Sequence, residues 1–258
     1  MNKIIKLFMI IFLFKGLIYA IYITPAHLYS SPDDAGHISY IQYIASNKQF
    51  PLFGVGLEAN MLVNYNLSFY DNIKTNIINS KTYFFNQVHR NWIGQHPPLY
   101  YAIMAAVYFI SNKITDNFYD NIYILRIVAI IYGLLLIYVL GVISRDLKVN
   151  MIAQICILSI VTFSPAIQYY FSTIGNDSLV ILLATVVWMF YIKYIKSYKI
   201  KYFMLYVIFF GLLIMTKYTG VFAVMATIPM VIYYTVKNFG YKKSIKLLSI
   251  GFIIGVFI

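Results

Sequence analysis

Two of the eight acidic residues in this 258-residue chain stand side by side, Asp33 and Asp34 in the stretch SSPDDAGH. Ser31 followed by Pro32 reads as the cap and first residue of a helix. Both carboxylates then fall in its first turn, where the helix dipole favours them, and Ser31 with Asp34 fits a capping box. The same geometry puts Asp33 four residues and Asp34 three residues before His37, on one helical face. The stretch is either a plain helix start or a carboxylate general base with a histidine beside it.

Three further clusters carry polar chemistry. QHPPLYY sets Gln95 and His96 directly before Pro97 and Pro98. That is either a proline-started helix with an interfacial tyrosine pair or a rigid mount for a polar pair. STIGNDSL holds Asp177; its Asn176 reads as an N-cap, and Asn176-Asp177-Ser178 also matches a glycosylation sequon by chance. Arg126 and Lys217 stand near the ends of apolar runs, where snorkelling and anion binding are the two readings.

The elements that must position these residues are membrane helices. The chain is 61% hydrophobic and 11% charged, with a mean hydropathy of +0.75. A soluble domain carries about 25% charged residues, so this chain lacks the polar surface to coat itself in water. The formal charge of +12 has no soluble basic domain around it and reads as membrane topology, with no nucleic-acid partner. Cys156 is the single cysteine, which excludes an intrachain disulfide. The N-terminal run after Lys3 and Lys6 is too long for a signal peptide's apolar core and no A-x-A-like site follows, which predicts an uncleaved signal anchor. Lys15 interrupts it.

Apolar runs predict spans at about 4–24, 122–143, 150–170, 178–195, 202–218 and 220–236, with a seventh from near 245. Residues 97–112 decide the parity. If they do not cross and the N-terminus is cytoplasmic, twelve of the twenty basic residues fall in short inner loops, Lys3, Arg145, Lys193 and Lys237 among them, and seven of the eight acids fall outside. If they cross, ten of the twelve are turned outward. The stretch is therefore expected to lie as an interfacial helix on the outer face. The fold expected is an all-α polytopic bundle, a single transmembrane domain over 1–258 with about seven membrane helices. Its large outer loop, residues 25–121, holds helical pieces at about 32–47 and 97–112. All four polar clusters then share the outer side, around one cavity suited to deprotonating a hydroxyl while a phosphate leaves.

At that point the pattern resembles a known group. An Asp-acid-x-x-His box after the first span, HPPLYY, the arginine of ILRIVAIIYGLLLIYVLG, the run SPAIQYYFSTIGNDSLVILL and TKYTG follow one another as in GT-C membrane glycosyltransferases that use polyprenyl-phosphate sugars. The chain is similar to the dolichyl-phosphate-mannose protein mannosyltransferases and the lipid A aminoarabinose transferase. The resemblance implies that Asp33 is the catalytic base of an inverting transfer at the plasma (inner) membrane's outer face. It implies that Asp34, His37, His96, Arg126 and Lys217 bind substrate, with a glycan, lipid or protein as acceptor. Gln95 stands where the lipid A enzymes carry a metal-binding glutamate, so a divalent metal would rest on neutral oxygens and Asp177. A transporter or flippase of lipid-linked sugars is the alternative class, and an inactive fragment of the family is another. The last run, Ile245 to Ile258, has 14 residues against the ~17–25 a span needs, and the families it resembles continue further, so the chain is expected to be the front part of a longer enzyme.

Overall fold

The computed structural model describes residues 3–24, 34–50 and 92–257, and among these every regular element is helical. In chain order they are α1 (Lys3–Ile18, continued by a π-helical turn, Tyr19–Ile23), α2 (Asp34–Asn47), α3 (Leu99–Ser111) and α4 (Phe118–Asp146). There follow α5 (Met151–Phe163), α6 (Pro165–Tyr170), α7 (Asp177–Ser197), α8 (Ile200–Ile214), α9 (Thr227–Phe239) and α10 (Tyr241–Phe257). By length and composition Lys3–Ile23, α4 and α7 can each cross a membrane. Over the described residues the protein is an all-α membrane protein.

The backbone alternates direction for reasons visible in single contacts. Ile5 lies against Gly141, Phe12 against Gly133 and Gly16 against Ile130, so α1 and α4 run antiparallel. A Cβ at Gly133 would stand 2.2 Å from the Phe12 ring, and one at Gly141 2.3 Å from Ile5. Both glycines are needed for two membrane helices to approach so closely. Phe12 also meets Phe171 edge-on at 5.9 Å. Helix α8 returns along α7 through Tyr194–Phe203 and Phe190–Phe209 ring pairs at 5.6 and 5.3 Å. At the C-terminal ends of α4 and α7, Lys193 pairs with Asp146 at 2.6 Å. That pair accounts for the one acid among the basic loops. Buried hydroxyls then tie α9 and α10 to the rest. Tyr194 meets Thr235 at 2.6 Å, and Ser244 donates to the Thr235 carbonyl at 2.9 Å.

Several boundaries differ from the apolar runs. The run expected to cross at 150–170 is two helices, α5 and α6. Pro165 has no N–H to continue α5, and Ser164 before it is driven to an extended conformation (ψ 120°). The run at 202–218 is helical only to Ile214, and 220–236 opens as a 3-10 turn, Tyr218–Ala223, before α9. The last helix starts at Tyr241, after Gly240 at φ +74°, ahead of the expected 245. Helix α3 has both ends at one end of the bundle. The Leu99 N–H donates to Met215 beyond α8 at 3.0 Å, while Asn112 accepts from Asn121 in the first turn of α4 at 3.2 Å. It therefore lies across that end.

Candidate functional site

Three helices begin at this same end. His37 sits in the first turn of α2, His96 precedes α3, and Asp177 opens α7. Lys217, just beyond α8, reaches Asp177 with its Nζ 2.7 Å from Oδ1. The prolines of QHPPLYY set the entry to α3: Pro98 stands at the cap and leaves His96 outside the helix. The two loops that bring Asp177 and Lys217 together are stitched side by side, Asn176 donating to the Thr216 carbonyl at 3.4 Å. Asn176, read as an N-cap, makes no cap bond to α7; this cross-loop bond replaces it.

His37 is the centre of the cluster. It is 6% exposed, and its Nδ1 lies 2.9 Å from the Tyr101 hydroxyl. Its ring stacks nearly parallel to His96 at 6.5 Å and to Tyr101 at 5.8 Å, and Tyr40 stacks on Tyr101 at 3.9 Å. The Tyr40 hydroxyl donates to the His96 carbonyl at 3.4 Å. Burial pushes the His37 imidazole down to about 3, His96 and Lys217 push the same way, and Asp177 opposes them. His37 is thus neutral at physiological pH and offers one ring N–H and one lone pair. Burial, with Tyr218 nearby, raises the Tyr40 hydroxyl to about 12, so it remains a donor.

The expected residues divide as follows. His37, His96, Asp177 and Lys217 come together. Asp33 lies outside the described residues, and Asp34 is the first residue of α2. Arg126 is placed elsewhere. It is 1% exposed, and its guanidinium donates to the carbonyls of Ala20 (2.9 Å) and Thr24 at the end of the first helix. Gln95 is exposed in the 3-10 turn Trp92–Gln95. Asp177 is already held by an ammonium, and among the described residues no group of three His, Cys, Asp or Glu assembles. That donor set does not fit a resident divalent cation. Tyr40 and Tyr101 are members the sequence reading missed; the Tyr-Tyr pair after the prolines was its only signal.

The arrangement suits an anion. Three helix N-termini each present about half a positive charge, and Lys217 adds an ammonium. A neutral buried histidine and a tyrosine wall supply hydrogen bonds with a fixed direction. Residues 57–258 match the family described as a predicted membrane protein (DUF2142), and the chain belongs to that family. The match includes His96, Arg126, Asp177 and Lys217 and begins after His37. No curated protein matches the chain, and no solved structure does.

Proposed function

We propose that this member of the DUF2142 family is a GT-C-type glycosyltransferase, moving a sugar from a polyprenyl-phosphate donor to an acceptor hydroxyl at the end of the bundle opposite its basic loops. The observation that carries the reading is the meeting of His37, His96 and the Lys217–Asp177 pair at three helix starts. These residues come from four separate stretches of the chain, in the order of the motifs in the glycosyltransferases it resembles. In the reaction, the Asp33 carboxylate takes the acceptor's proton, and the acceptor oxygen bonds to the anomeric carbon. The carbon–oxygen bond to phosphate breaks with its electron pair leaving on polyprenyl phosphate. Lys217 and the helix N-termini stabilise that leaving anion. Neutral His37 and His96 orient donor or acceptor hydroxyls. Seven passes, with α5–α6 and the shorter α8, α9 and α10 each traversing the bilayer, keep this end on the outer face.

The test is transfer by the purified full chain, offered a panel of polyprenyl-phosphate sugars with and without divalent metal. Asp33→Asn is expected to keep donor binding and lower transfer by ~10²–10⁴-fold, the usual loss for a general base. Transfer by Asp33→Asn at the parental rate would remove the catalytic assignment. Movement of intact donor across proteoliposomes, without transfer, would identify a carrier instead.

A further inference from the structure

The opposite, basic end of the bundle holds a second site. A cavity of about 440 Å³ opens between α1, α4 and α5, within the size range of small-ligand pockets. One wall is apolar, from Ile5, Tyr138 and Val142. The other carries Arg145 in the last turn of α4, Lys148 in the turn that follows, and Gln154 of α5. Lys148 adopts φ +56°, the left-handed region that lysine seldom occupies. That reversal lets the turn line the same cavity as Arg145.

Two features mark this wall as a binding surface. Arg145 and Lys148 form no ion pair among the described residues, and the acid beside them, Asp146, is taken by Lys193 at 2.6 Å on the α7 side. Two positive charges therefore stand without compensation. Gln154 is only 8% exposed, yet its side-chain amide bonds to no other described group. That amide lines the cavity, where a ligand entering it would meet its N–H₂ and carbonyl.

We infer that this cavity binds the phosphate headgroup of an anionic phospholipid in the leaflet at the basic end. A guanidinium fork, an ammonium and an amide N–H₂ match phosphate oxygens. Basic pockets between helices at this level of a membrane suit such headgroups. Free phosphate shares the chemistry, but the apolar wall of Ile5, Tyr138 and Val142 suits the glycerol and first methylenes of a lipid.

The experiment uses the full chain, stripped of lipid in detergent and titrated with phosphatidylglycerol, phosphatidylcholine or inorganic phosphate while thermal unfolding is followed. Phosphatidylglycerol is expected to raise the midpoint saturably, with phosphatidylcholine and phosphate giving little. Arg145→Gln with Lys148→Gln should raise the half-saturating concentration about 30-fold, the scale for two basic residues at an anionic surface. Gln154→Leu, which keeps both charges, should raise it a few-fold. Lys199→Gln with Lys201→Gln, at the same end but outside the cavity, should leave it unchanged. Equal response to both lipids, or an equal loss in the Lys199 and Lys201 variant, would overturn the site as diffuse attraction. A full shift with inorganic phosphate alone would overturn the lipid assignment.

Discussion

Arg126→Gln separates two roles for a buried arginine. The guanidinium donates to the Ala20 carbonyl at 2.9 Å and to the Thr24 carbonyl, and the Tyr123 ring lies 6.0 Å from its carbon. Those carbonyls belong to the end of the first helix, where the last groups of a helix have no partner of their own. Thr24 cannot replace the arginine, because its N–H and its hydroxyl both go to the Tyr19 carbonyl, each at 2.8 Å. Glutamine is too short to reach both oxygens. Hydrogen bonds inside membrane proteins are worth about 0.6 kcal/mol on average and about 1.7 at most. Two bonds from a charged donor belong toward the top of that range, offset by no longer burying a cation. The expected loss is ~1–3 kcal/mol, with Arg126→Lys recovering about half. The assay is equilibrium unfolding in mixed micelles with no donor present. An arginine whose sole task is to hold a donor phosphate would leave that midpoint untouched and abolish only protection by donor. That pattern would refute the helix-end role.

Other expectations follow from the same geometry. For topology, Ser111 is buried, so Lys113→Cys and Ser197→Cys, each exposed and in a Cys156→Ser background, should react with an impermeant maleimide from opposite sides; same-side labelling breaks the parity. Gly133→Ala, whose Cβ would meet Phe12 at 2.2 Å, should lose ~1–3 kcal/mol in the same unfolding assay, while Gly175→Ala, 3.7 Å from His37, should be nearly silent. His37, held near 3 against an ordinary 6.5, contributes stability that is complete above pH 6.5 and fades toward pH 3, because the unfolded chain takes up a proton the folded one refuses. Stability should fall by up to ~1.4 kcal/mol per pH unit below 6.5, and His37→Asn should flatten that slope; an unchanged slope would place the titration elsewhere. Asp177→Asn frees Lys217 from a partly exposed pair worth ~0–1 kcal/mol, so polyprenyl phosphate should bind up to ~5-fold tighter; weaker binding would mean that the carboxylate itself contacts the ligand.

The membrane class was legible because hydropathy is a sum over many residues. Hydropathy accumulates along a run, and lysines count toward topology wherever they point. Helix ends depend instead on single backbone groups. TFSPAIQ contains its own break, since Pro165 cannot bond back into α5, yet the surrounding apolar run hides it. Likewise, only the meeting of α4 and α7 shows Lys193 answering Asp146, the acid at the basic end.

The site divides along the same line. Parity could put His37, His96, Asp177 and Lys217 on one side of the membrane, but it carries no distances. Their meeting depends on α2 and α3 lying side by side, a pairing fixed by contacts such as Gln42 to Tyr108, 3.0 Å apart across 66 residues of sequence. Tyr101 earns its place only through that pairing. Arg126 shows the limit most clearly. In sequence, a lone arginine in an apolar run signals either snorkelling or function. What decides between them is the register of α1 on α4, where residues 5, 12 and 16 meet 141, 133 and 130. Carried one turn further, that register sets residue 126 against Ala20, the carbonyl it binds. The glycines that allow the close approach therefore also determine what the arginine touches, and a larger residue at Gly133 should disturb the Arg126 contacts two turns away.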